Sequence, residues 1–288
     1  MVQEHTVTAR AAEVYGRKVH TRADLLASGM RGRDITASVR RGHLIRARRD
    51  RYVLADTGGE VIEAVRIGGR LSCISLLKSL GVFVHRCERI HVFVERGTSR
   101  IRPVDESRTI VHWAAPSGDE APLHVAPLLD AVRQAVRCQQ PRAAVATLDS
   151  LLHHGLVTRA QLEEVFRSLP ARHQALLRVV DGSAESGPET YMRLILRAIG
   201  VSFETQVLLP GVGRVDFVVD GWLIIECDSR EFHSGWDSQV RDRRRDSAAA
   251  QRGYVTVRPI AADILRDDNS VRQMLEGVIR ALGPKFTC

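Results

Sequence analysis

Residues 214–228 read RVDFVVDGWLIIECD and decide how the C-terminal part of the chain folds. Two apolar runs flank Asp220-Gly221, a dipeptide that favours a tight hairpin turn. The pattern predicts two antiparallel strands, one over residues 214–219 and the other over residues 222–227.

Acidic side chains lie within these apolar strands. Asp216 is inside the first strand, while Glu226 and Asp228 end the second and share a face, because side chains alternate along a strand. The hairpin predicts that Asp216 lies opposite or diagonal to Glu226. A buried charge needs a partner, and a divalent cation such as Mg²⁺ or Mn²⁺ is a good one, because it prefers oxygen ligands. Pairing with Arg214 or Arg258 is the alternative.

The elements around this hairpin complete the order α-β-β-β-α-β. Ser186 followed by Glu189 has the spacing of a capping box, which predicts the start of a helix. That helix is expected to end at Gly200. The other expected elements are a strand over residues 202–209, a polar helix over residues 237–252 and a strand over residues 254–258.

Residues 187–259 resemble the PD-(D/E)XK nuclease superfamily, and within it a very-short-patch-repair-like branch. Six short pieces carry the resemblance: Glu189, VDF (215–217), IECD (225–228), FH (232–233), RDRRRD (241–246) and GYVTVR (253–258). Together these pieces are more specific than any one of them. The resemblance implies a restriction-endonuclease-like core that hydrolyses phosphodiester bonds with a bound Mg²⁺ or Mn²⁺.

The resemblance also implies roles for single residues. Asp216 and Glu226 would bind the metal ion, and Glu189 would be a third acid that reaches it directly or through water. Asp228 occupies a catalytic position at which many superfamily members have lysine, although the E-x-D form is usual in this branch. His233 would act as a general base or hold the scissile phosphate.

Other interpretations of these C-terminal residues stay open. His233 could be a turn residue packed against Trp236. Arg241 and Arg244 could follow a DNA backbone, but the arginine-rich helix also fits a solvated surface with pairs such as Asp242–Arg245.

Basic residues are concentrated at the N-terminal end. The 288-residue chain has a net charge of +8, and residues 1–56 carry +6 of it, with 12 Lys/Arg and 6 Asp/Glu. A short basic segment is typical of a module that binds nucleic-acid phosphates; a solvated basic surface is the alternative. We predict helices over residues 6–18, 23–27 and 33–41, followed by a two-stranded hairpin within residues 44–54.

The third helix has two different faces. Ile35 and Val39, with Leu44 after the helix, are expected in the core, while arginines on the other face could reach phosphates or guanine edges. The expected DNA-binding residues are Arg31, Arg33, Arg40 and Arg41 at the helix, and Arg46, Arg48, Arg49 and Arg51 on the hairpin.

This N-terminal segment resembles the winged helix of AbiEi-type antitoxins and their actinobacterial relatives. The matching pieces are TRADLL (21–26), VRRGHL (39–44) and RYVL (51–54), and residues 71–81 resemble the connector that follows that winged helix. The resemblance implies a winged helix-turn-helix that binds double-stranded DNA. The same fold used for protein contact is the alternative.

The expected fold class is α/β, α+β overall, with three domains. They are a winged helix-turn-helix over residues 1–58, a mixed α/β connector over 59–180 and the nuclease-like core over 181–288. No apolar run approaches the roughly 20 residues of a membrane span, and the N-terminus lacks the apolar core of a signal peptide. We therefore expect a cytoplasmic protein without a membrane partner.

The five cysteines are widely spread and include no C-x-x-C pair. Their spacing indicates neither a disulfide framework nor a zinc knuckle. His85 and Cys87 are the one close pair, and ordinary buried residues explain them better than a metal site does.

The leading functional hypothesis is a DNA endonuclease or nickase that uses Mg²⁺ or Mn²⁺. The alternative is a transcriptional repressor or antitoxin-like protein whose nuclease-like domain is inert. An RNA-processing enzyme is disfavoured, because an aromatic content of 5% leaves few platforms for stacking on single-stranded bases. Double-stranded DNA is the expected partner, and a homodimer is left open.

Overall fold

A computed structural model describes residues 2–16, 19–115, 117–118, 120–227 and 236–283. The chain divides into two compact units. One comprises Met1–Ala144 and His154–Val179, and the other comprises Val145–His153 and Val180–Cys288. Both combine helices with small sheets, which confirms the α+β class. The finer division into three domains stays a prediction.

The N-terminal part of the first unit combines helices with a small antiparallel sheet of strand order β1-β3-β2. Its elements are α1 (Val2–Tyr15), β1 (Val19–His20), α2 (Arg22–Ala27), α3 (Gly32–Arg40), β2 (Leu44–Arg48) and β3 (Arg51–Leu54). Thr21 starts α2 through a capping box with Asp24. Each of the predicted helices and strands is present, with ends shifted by a few residues.

One apolar cluster positions α3 against the hairpin. Ile35 and Leu44 are buried with Leu25 and Tyr52, and Val39 packs against them. The predicted inward positions are therefore confirmed. Removal of these side chains from water drives the packing, since each buried aliphatic or aromatic side chain contributes about 1.5–3 kcal/mol.

The rest of the first unit has a second small sheet, of order β4-β5-β6, in which β5 and β6 are parallel. Its elements are α4 (Gly59–Ile67), β4 (Arg70–Leu71), α5 (Cys73–Ser79), β5 (Ile90–Glu95), β6 (Thr109–Ala114), α6 (Leu128–Cys138), α8 (Arg159–Arg167), a 3₁₀ turn (Ala171–His173) and α9 (Gln174–Leu177). The long helix α7 (Pro141–His153) contributes its first four residues to this unit.

The second unit contains a four-stranded sheet of order β10-β9-β8-β7. Its elements are the rest of α7, α10 (Gly187–Ile199), β7 (Phe203–Leu209), β8 (Gly213–Val219), β9 (Leu223–Ile225), α11 (Trp236–Gln251), β10 (Val255–Val257), α12 (Ala261–Arg266) and α13 (Asp268–Leu282). Neighbours β7, β8 and β9 are antiparallel, whereas β10 is parallel to β9. The six elements from α10 to β10 follow the predicted order.

A buried ion pair lies in this second unit. Asp149 of α7 accepts hydrogen bonds from Arg193 Nη2 at 2.6 Å, from the Thr190 hydroxyl at 2.8 Å and from the Asp181 N–H at 2.7 Å. Asp149 and Arg193 are 0% and 1% exposed. The three bonds offset the cost of burying the carboxylate, and they tie residues 145–153 to α10.

None of the described helices is both long enough and apolar enough to cross a membrane.

Candidate functional site

Glu189 is held at the start of α10 by its neighbours. The Ser186 hydroxyl donates to Glu189 Oε1 at 2.7 Å and accepts the Glu189 N–H at 3.4 Å. The predicted capping box is wrong in its second half, because Glu189 Oε2 accepts the N–H of Glu185, at 2.8 Å, and not that of Ser186. The same oxygen accepts Gln206 Nε2 at 2.9 Å, which turns the carboxyl group towards β7.

Gln206 connects two of the predicted acids and was not itself predicted as a site residue. Its amide donates to Glu189, it lowers the pKa of Asp216 against the effect of burial, and the strand register places it across from Asp216. Its backbone has a φ of +53°, which is uncommon for a residue other than glycine. Its Oε1 is buried and has no hydrogen-bond partner among the described residues. The one sequence signal was its position in the strand facing Asp216.

The hairpin places Asp216 and Glu226 next to each other on neighbouring strands. Phe217 pairs with Ile225, so the same register places Asp216 across from Glu226. The Cys227 N–H donates to Asp216 Oδ2 at 2.8 Å. Asp216 therefore lies opposite Glu226, as the hairpin pattern predicts, and it is also near enough to Glu189 to raise the pKa of that side chain. We call Glu189, Asp216 and Glu226 the carboxylate cluster.

Burial raises the pKa of each carboxyl group in the carboxylate cluster. The pKa of Glu189 rises to about 7, and the nearby Asp216 adds to the effect of burial. The pKa of Asp216 is raised although the Cys227 N–H and Gln206 oppose the shift. The pKa of Glu226 is raised although Arg258 and Arg245 oppose it. Crowded, buried carboxyl groups of this kind favour either protons or a bound cation.

Two arginines already compensate Glu226. Arg245 Nη2 donates to one carboxylate oxygen at 2.7 Å, and Arg258 Nη2 lies 2.5 Å from the other. Arg245 is fixed further by the carbonyl oxygens of Val212 and Arg214. Pairing of Glu226 with Arg258, one of the alternatives from the sequence, is therefore present, whereas Arg214 pairs with Glu185.

The carboxylate cluster is not a compact set of metal ligands. Among the described residues, one group of three or more Cys, His, Asp or Glu side chains has all its ligand atoms within 4.8 Å, and that group lies in the first unit. Bidentate or water-mediated contacts would still allow an ion between Glu189 and Asp216, because Mg²⁺ keeps several waters in most protein sites.

Several predicted residues of the second unit have no described contacts. Asp228 and His233 lie outside the described residues, as does the side chain of Arg241. Arg244 is exposed on α11. Its neighbour Arg245 contacts Glu226 of the carboxylate cluster, and nothing in the sequence singles it out from the run of arginines.

The eight predicted DNA-binding arginines form what we call the arginine surface of the first unit. Six of them are exposed: Arg31, Arg33, Arg40, Arg41, Arg46 and Arg49. Arg51 is half-buried and donates to the carbonyl of Asp50. The surface is therefore accessible to a polyanion over most of its length.

Arg48 has a different position from the other arginines. It is half-buried, packs against Gly68 and donates a hydrogen bond to the carbonyl oxygen of Arg100. It also lines a groove of about 380 Å³ together with Arg49, Arg51 and Arg70. Four arginines around one groove favour an anionic ligand, although Arg70 is paired with Glu95 at 3.2 Å.

A group of cysteines and histidines in the first unit was not predicted. It comprises Cys73, His91, His112 and Cys138, which we call the Cys/His cluster. The absence of a C-x-x-C pair argued against a zinc site, but the four residues come from four different elements and carry no local motif. Hydrogen bonds lower the pKa of the Cys138 thiol, and the bond with Cys73 has the largest effect. Burial raises the pKa of the Cys73 thiol.

Comparison with known proteins finds relatives without a stated function. No family model matches the chain. Two uncharacterised proteins, from two strains of Mycobacterium tuberculosis, are each 34% identical to it over 155 residues, which is 50% of this chain and 56% of the relative. The chain thus spans little more than half the length of the curated relatives it matches.

Proposed function

We propose that the chain is a DNA-binding, metal-dependent endonuclease or nickase with a winged-helix N-terminal part and a PD-(D/E)XK-like core. One observation carries the proposal: Glu189, Gln206 and Asp216 converge from a helix and two strands. Both acids are largely buried, Asp216 raises the pKa of Glu189, and the Gln206 amide donates to Glu189 while it lies across the strand pair from Asp216. Buried acids that repel one another are costly to keep for stability alone. A cation bound between the acids would offset this cost and explain why they are buried together.

The residues present fit a hard divalent ion. Gln206 Oε1 is a buried acceptor without a described partner beside the two carboxyl groups, and an oxygen-only donor set is what Mg²⁺ and Mn²⁺ prefer. Glu189, Asp216 and Gln206 would hold such an ion. When bound, the ion would polarise a phosphodiester and lower the pKa of a water molecule.

Arginines near the acids would orient the substrate. The Arg214 side chain is 58% exposed and is paired with Glu185, so it can turn to a phosphate oxygen. Arg245 is anchored to two backbone carbonyls and holds Glu226 in place. Glu226 would therefore be an acid beside Asp216 whose charge is already compensated by arginines. It could bind the ion only after Arg245 or Arg258 releases one of its oxygens.

The arginine surface supports the choice of DNA as substrate. Its exposed arginines lie on α3 and on the adjoining hairpin, while the apolar side of α3 is packed into the core. This division allows a helix to lie against a groove and its flanking phosphates without loss of core packing.

Nicking of supercoiled plasmid tests the proposal. We expect relaxation that requires Mg²⁺ or Mn²⁺, with a rate reduced at least about 100-fold in Asp216→Asn and Glu189→Gln, because both keep the side-chain shape but lose a charged oxygen ligand. Glu204→Gln is the matched control, since Glu204 is exposed on the same strand as Gln206. Activity that is unchanged in the first two variants would refute the assignment.

A repressor or antitoxin-like role is the second candidate. The observation in its favour is the double pairing of Glu226 with Arg245 and Arg258, which occupies both its oxygens. An inert core would leave DNA binding as the activity. Intact DNA binding without any nicking by the wild type in either metal would favour this role.

The salt dependence of DNA binding tests the arginine surface in both cases. Removal of one arginine that neutralises a phosphate should lower the slope of log affinity against log salt by about 0.9. The pair of substitutions Arg40→Ala and Arg41→Ala should therefore reduce the slope by up to about 1.8, whereas Arg280→Ala, which removes an exposed charge from α13, should leave it unchanged. Equal slopes for the wild type and all these variants would exclude the arginine surface as the DNA-binding site.

A further inference from the structure

We propose that Cys73, His91, His112 and Cys138 form a tetrahedral Zn²⁺ site in the first unit. The four potential ligand atoms lie within 4.8 Å of one another, and no residue of the proposed nuclease site is among them. Two thiolates and two imidazoles are a donor set of structural zinc sites, and they suit neither Mg²⁺ nor Ca²⁺.

The distances within the Cys/His cluster match a metal tetrahedron. His91 Nδ1 lies 3.0 Å from His112 Nε2, and Cys138 Sγ lies 3.9 Å and 3.8 Å from these two nitrogens. With Zn–N near 2.05 Å and Zn–S near 2.3 Å, a tetrahedral ion would separate two nitrogens by about 3.3 Å and a sulfur from a nitrogen by about 3.6 Å. Shifts of a few tenths of an ångström would complete the site.

The sheet places the two histidines side by side. His112 pairs with Phe93 in the parallel register of β5 and β6, which puts it two residues along from His91, on the same face. Their rings are stacked, with centroids 5.2 Å apart. Nitrogen atoms of both rings point to a common position, so a cation there would replace the single proton that the pair can share.

Hydrogen bonds fix the start of α5 against the same strand. The His91 N–H donates to the Ser75 hydroxyl at 3.0 Å, and the Ser72 N–H donates to the His91 carbonyl at 2.9 Å. The Ser72 hydroxyl donates to Gln134 of α6 at 2.7 Å. These bonds hold Cys73 next to His91 and align α6, whose last residue is Cys138.

Cys73 has a strained backbone at this point. Its φ is +51°, in the left-handed region that residues other than glycine seldom adopt. Strain of this kind persists where the surrounding structure requires one side-chain direction. Ligation of a metal by the buried Cys73 sulfur would supply that requirement.

The ion would be structural. All four coordination positions come from the protein, so none is left for water or substrate. The ligands join α5, β5, β6 and α6, and binding of the ion would therefore contribute to the stability of the first unit.

Metal analysis of the full-length protein tests the site. We expect about one zinc per chain in untagged protein purified with reductant, and thiolate-to-metal charge-transfer bands after exchange with Co²⁺. Cys138→Ser and His112→Gln should each weaken zinc binding by at least about 100-fold. Cys138 is exposed, so its replacement leaves no cavity in the core, and loss of stability should come from loss of the ion alone. Circular dichroism would verify that the variant is still folded under the conditions of the zinc measurement.

Cys87→Ser is the matched control. Cys87 Sγ lies 3.4 Å from the Ser75 hydroxyl, close to the Cys/His cluster but not among its four members, so this variant should keep the zinc. A reduced wild-type protein that takes up no zinc, or one whose Cys73 and Cys138 are recovered as a disulfide, would overturn the proposal. Equal zinc binding by the wild type, Cys138→Ser and His112→Gln would also overturn it.

Discussion

Positive φ values single out residues in both candidate sites. In the described part of the chain, the residues other than glycine with a positive φ are Asp50, Cys73, Gln206 and Asp220. Asp50 and Asp220 lie in hairpin turns, where aspartate tolerates this conformation. Cys73 and Gln206 have no such turn to explain them. Cys73 is a member of the Cys/His cluster, and Gln206 donates to Glu189 of the carboxylate cluster. Backbone strain therefore points to the same places as the side-chain chemistry.

The buried phenol of Tyr15 should make the protein less stable at alkaline pH. Burial raises its pKa from 10.0 to about 12, and its hydroxyl has no hydrogen-bond partner among the described residues. The pKa of Tyr15 is higher in the folded than in the unfolded protein, so the free energy of unfolding is largest below pH 10, where the phenol is neutral in both states. It falls as the pH rises towards 12, because the unfolded state then releases the proton first. Between about pH 8 and about pH 11, Tyr15 should cost the fold about 1.4 kcal/mol.

Comparison with Tyr15→Phe isolates this contribution from other titrating groups. Urea unfolding at both pH values should give a smaller loss of stability for the variant, by about 1.4 kcal/mol. At the lower pH the variant should be at least as stable as the wild type, because a buried hydroxyl without a partner is removed. Equal losses in the two proteins would contradict the buried position of Tyr15.

Single residues were predictable where they follow a local rule. Asp216 and Glu226 were found because acids inside an apolar hairpin are unusual, and the register then brought them together. Gln206 and Arg245 were missed, since a polar residue in a strand or a charged run on a helix is common. The Cys/His cluster was missed because its members meet through packing of distant segments.

At the scale of elements, the strongest patterns gave the best boundaries. Helix α10 begins after Ser186 and ends before Gly200, as predicted. Strand β9 is shorter than expected. Its last bond to β10 runs from the Glu226 N–H to the Val257 carbonyl, and the next N–H, that of Cys227, donates to the Asp216 carboxylate and not to a strand. Strand β4 was not predicted; it has two residues, too few for a periodic pattern.

The end of α4 gives a prediction that links two elements. Gly68 has a φ of +104°, and a Cβ there would lie 1.5 Å from Arg48 Nη1. Gly68→Ala must therefore displace Arg48 from the Arg100 carbonyl as well as strain the backbone. We expect a loss of about 2–3 kcal/mol, of which about 1–2 kcal/mol comes from the left-handed conformation.

Gly97→Ala is the control for the backbone contribution. Gly97 has a φ of +94° but open space around it, so this variant should lose about 1–2 kcal/mol. In an Arg48→Ala background, Gly68→Ala should cost no more than Gly97→Ala. The contact between Gly68 and Arg48 would be unimportant if denaturant unfolding gave the two glycine variants equal stability in the wild-type background.

At the scale of the whole molecule, the second unit includes a segment that the local sequence does not indicate. Residues 181–187 are small and polar, typical of a linker. The structure instead assigns Val145–His153 to the same unit as the C-terminal residues. Asp149 lies within α7, and nothing in the local sequence indicates that Arg193, 44 positions later, is its partner.

This arrangement predicts which shortened chains fold. A chain of residues 140–288 keeps Asp149 and should unfold cooperatively on heating. A chain of residues 181–288 lacks Asp149, which lies 2.6 Å from the buried Arg193, and retains the more distant Asp181 at 4.0 Å. It also uncovers the α10 surface, and loss of one partner of a buried pair alone costs about 3–5 kcal/mol. We expect it to lack a cooperative transition in calorimetry.

Substitutions in the full-length chain separate the ion pair from the rest of α7. Asp149→Leu should cost about 3–5 kcal/mol, whereas Asp149→Leu combined with Arg193→Met should cost less, because no unpaired charge remains buried. Asp149→Asn, which can still accept from Thr190, should fall between these two. If the double variant were as unstable as Asp149→Leu, packing of α7 rather than charge compensation would hold the second unit together, and the shorter chain would fail for that reason.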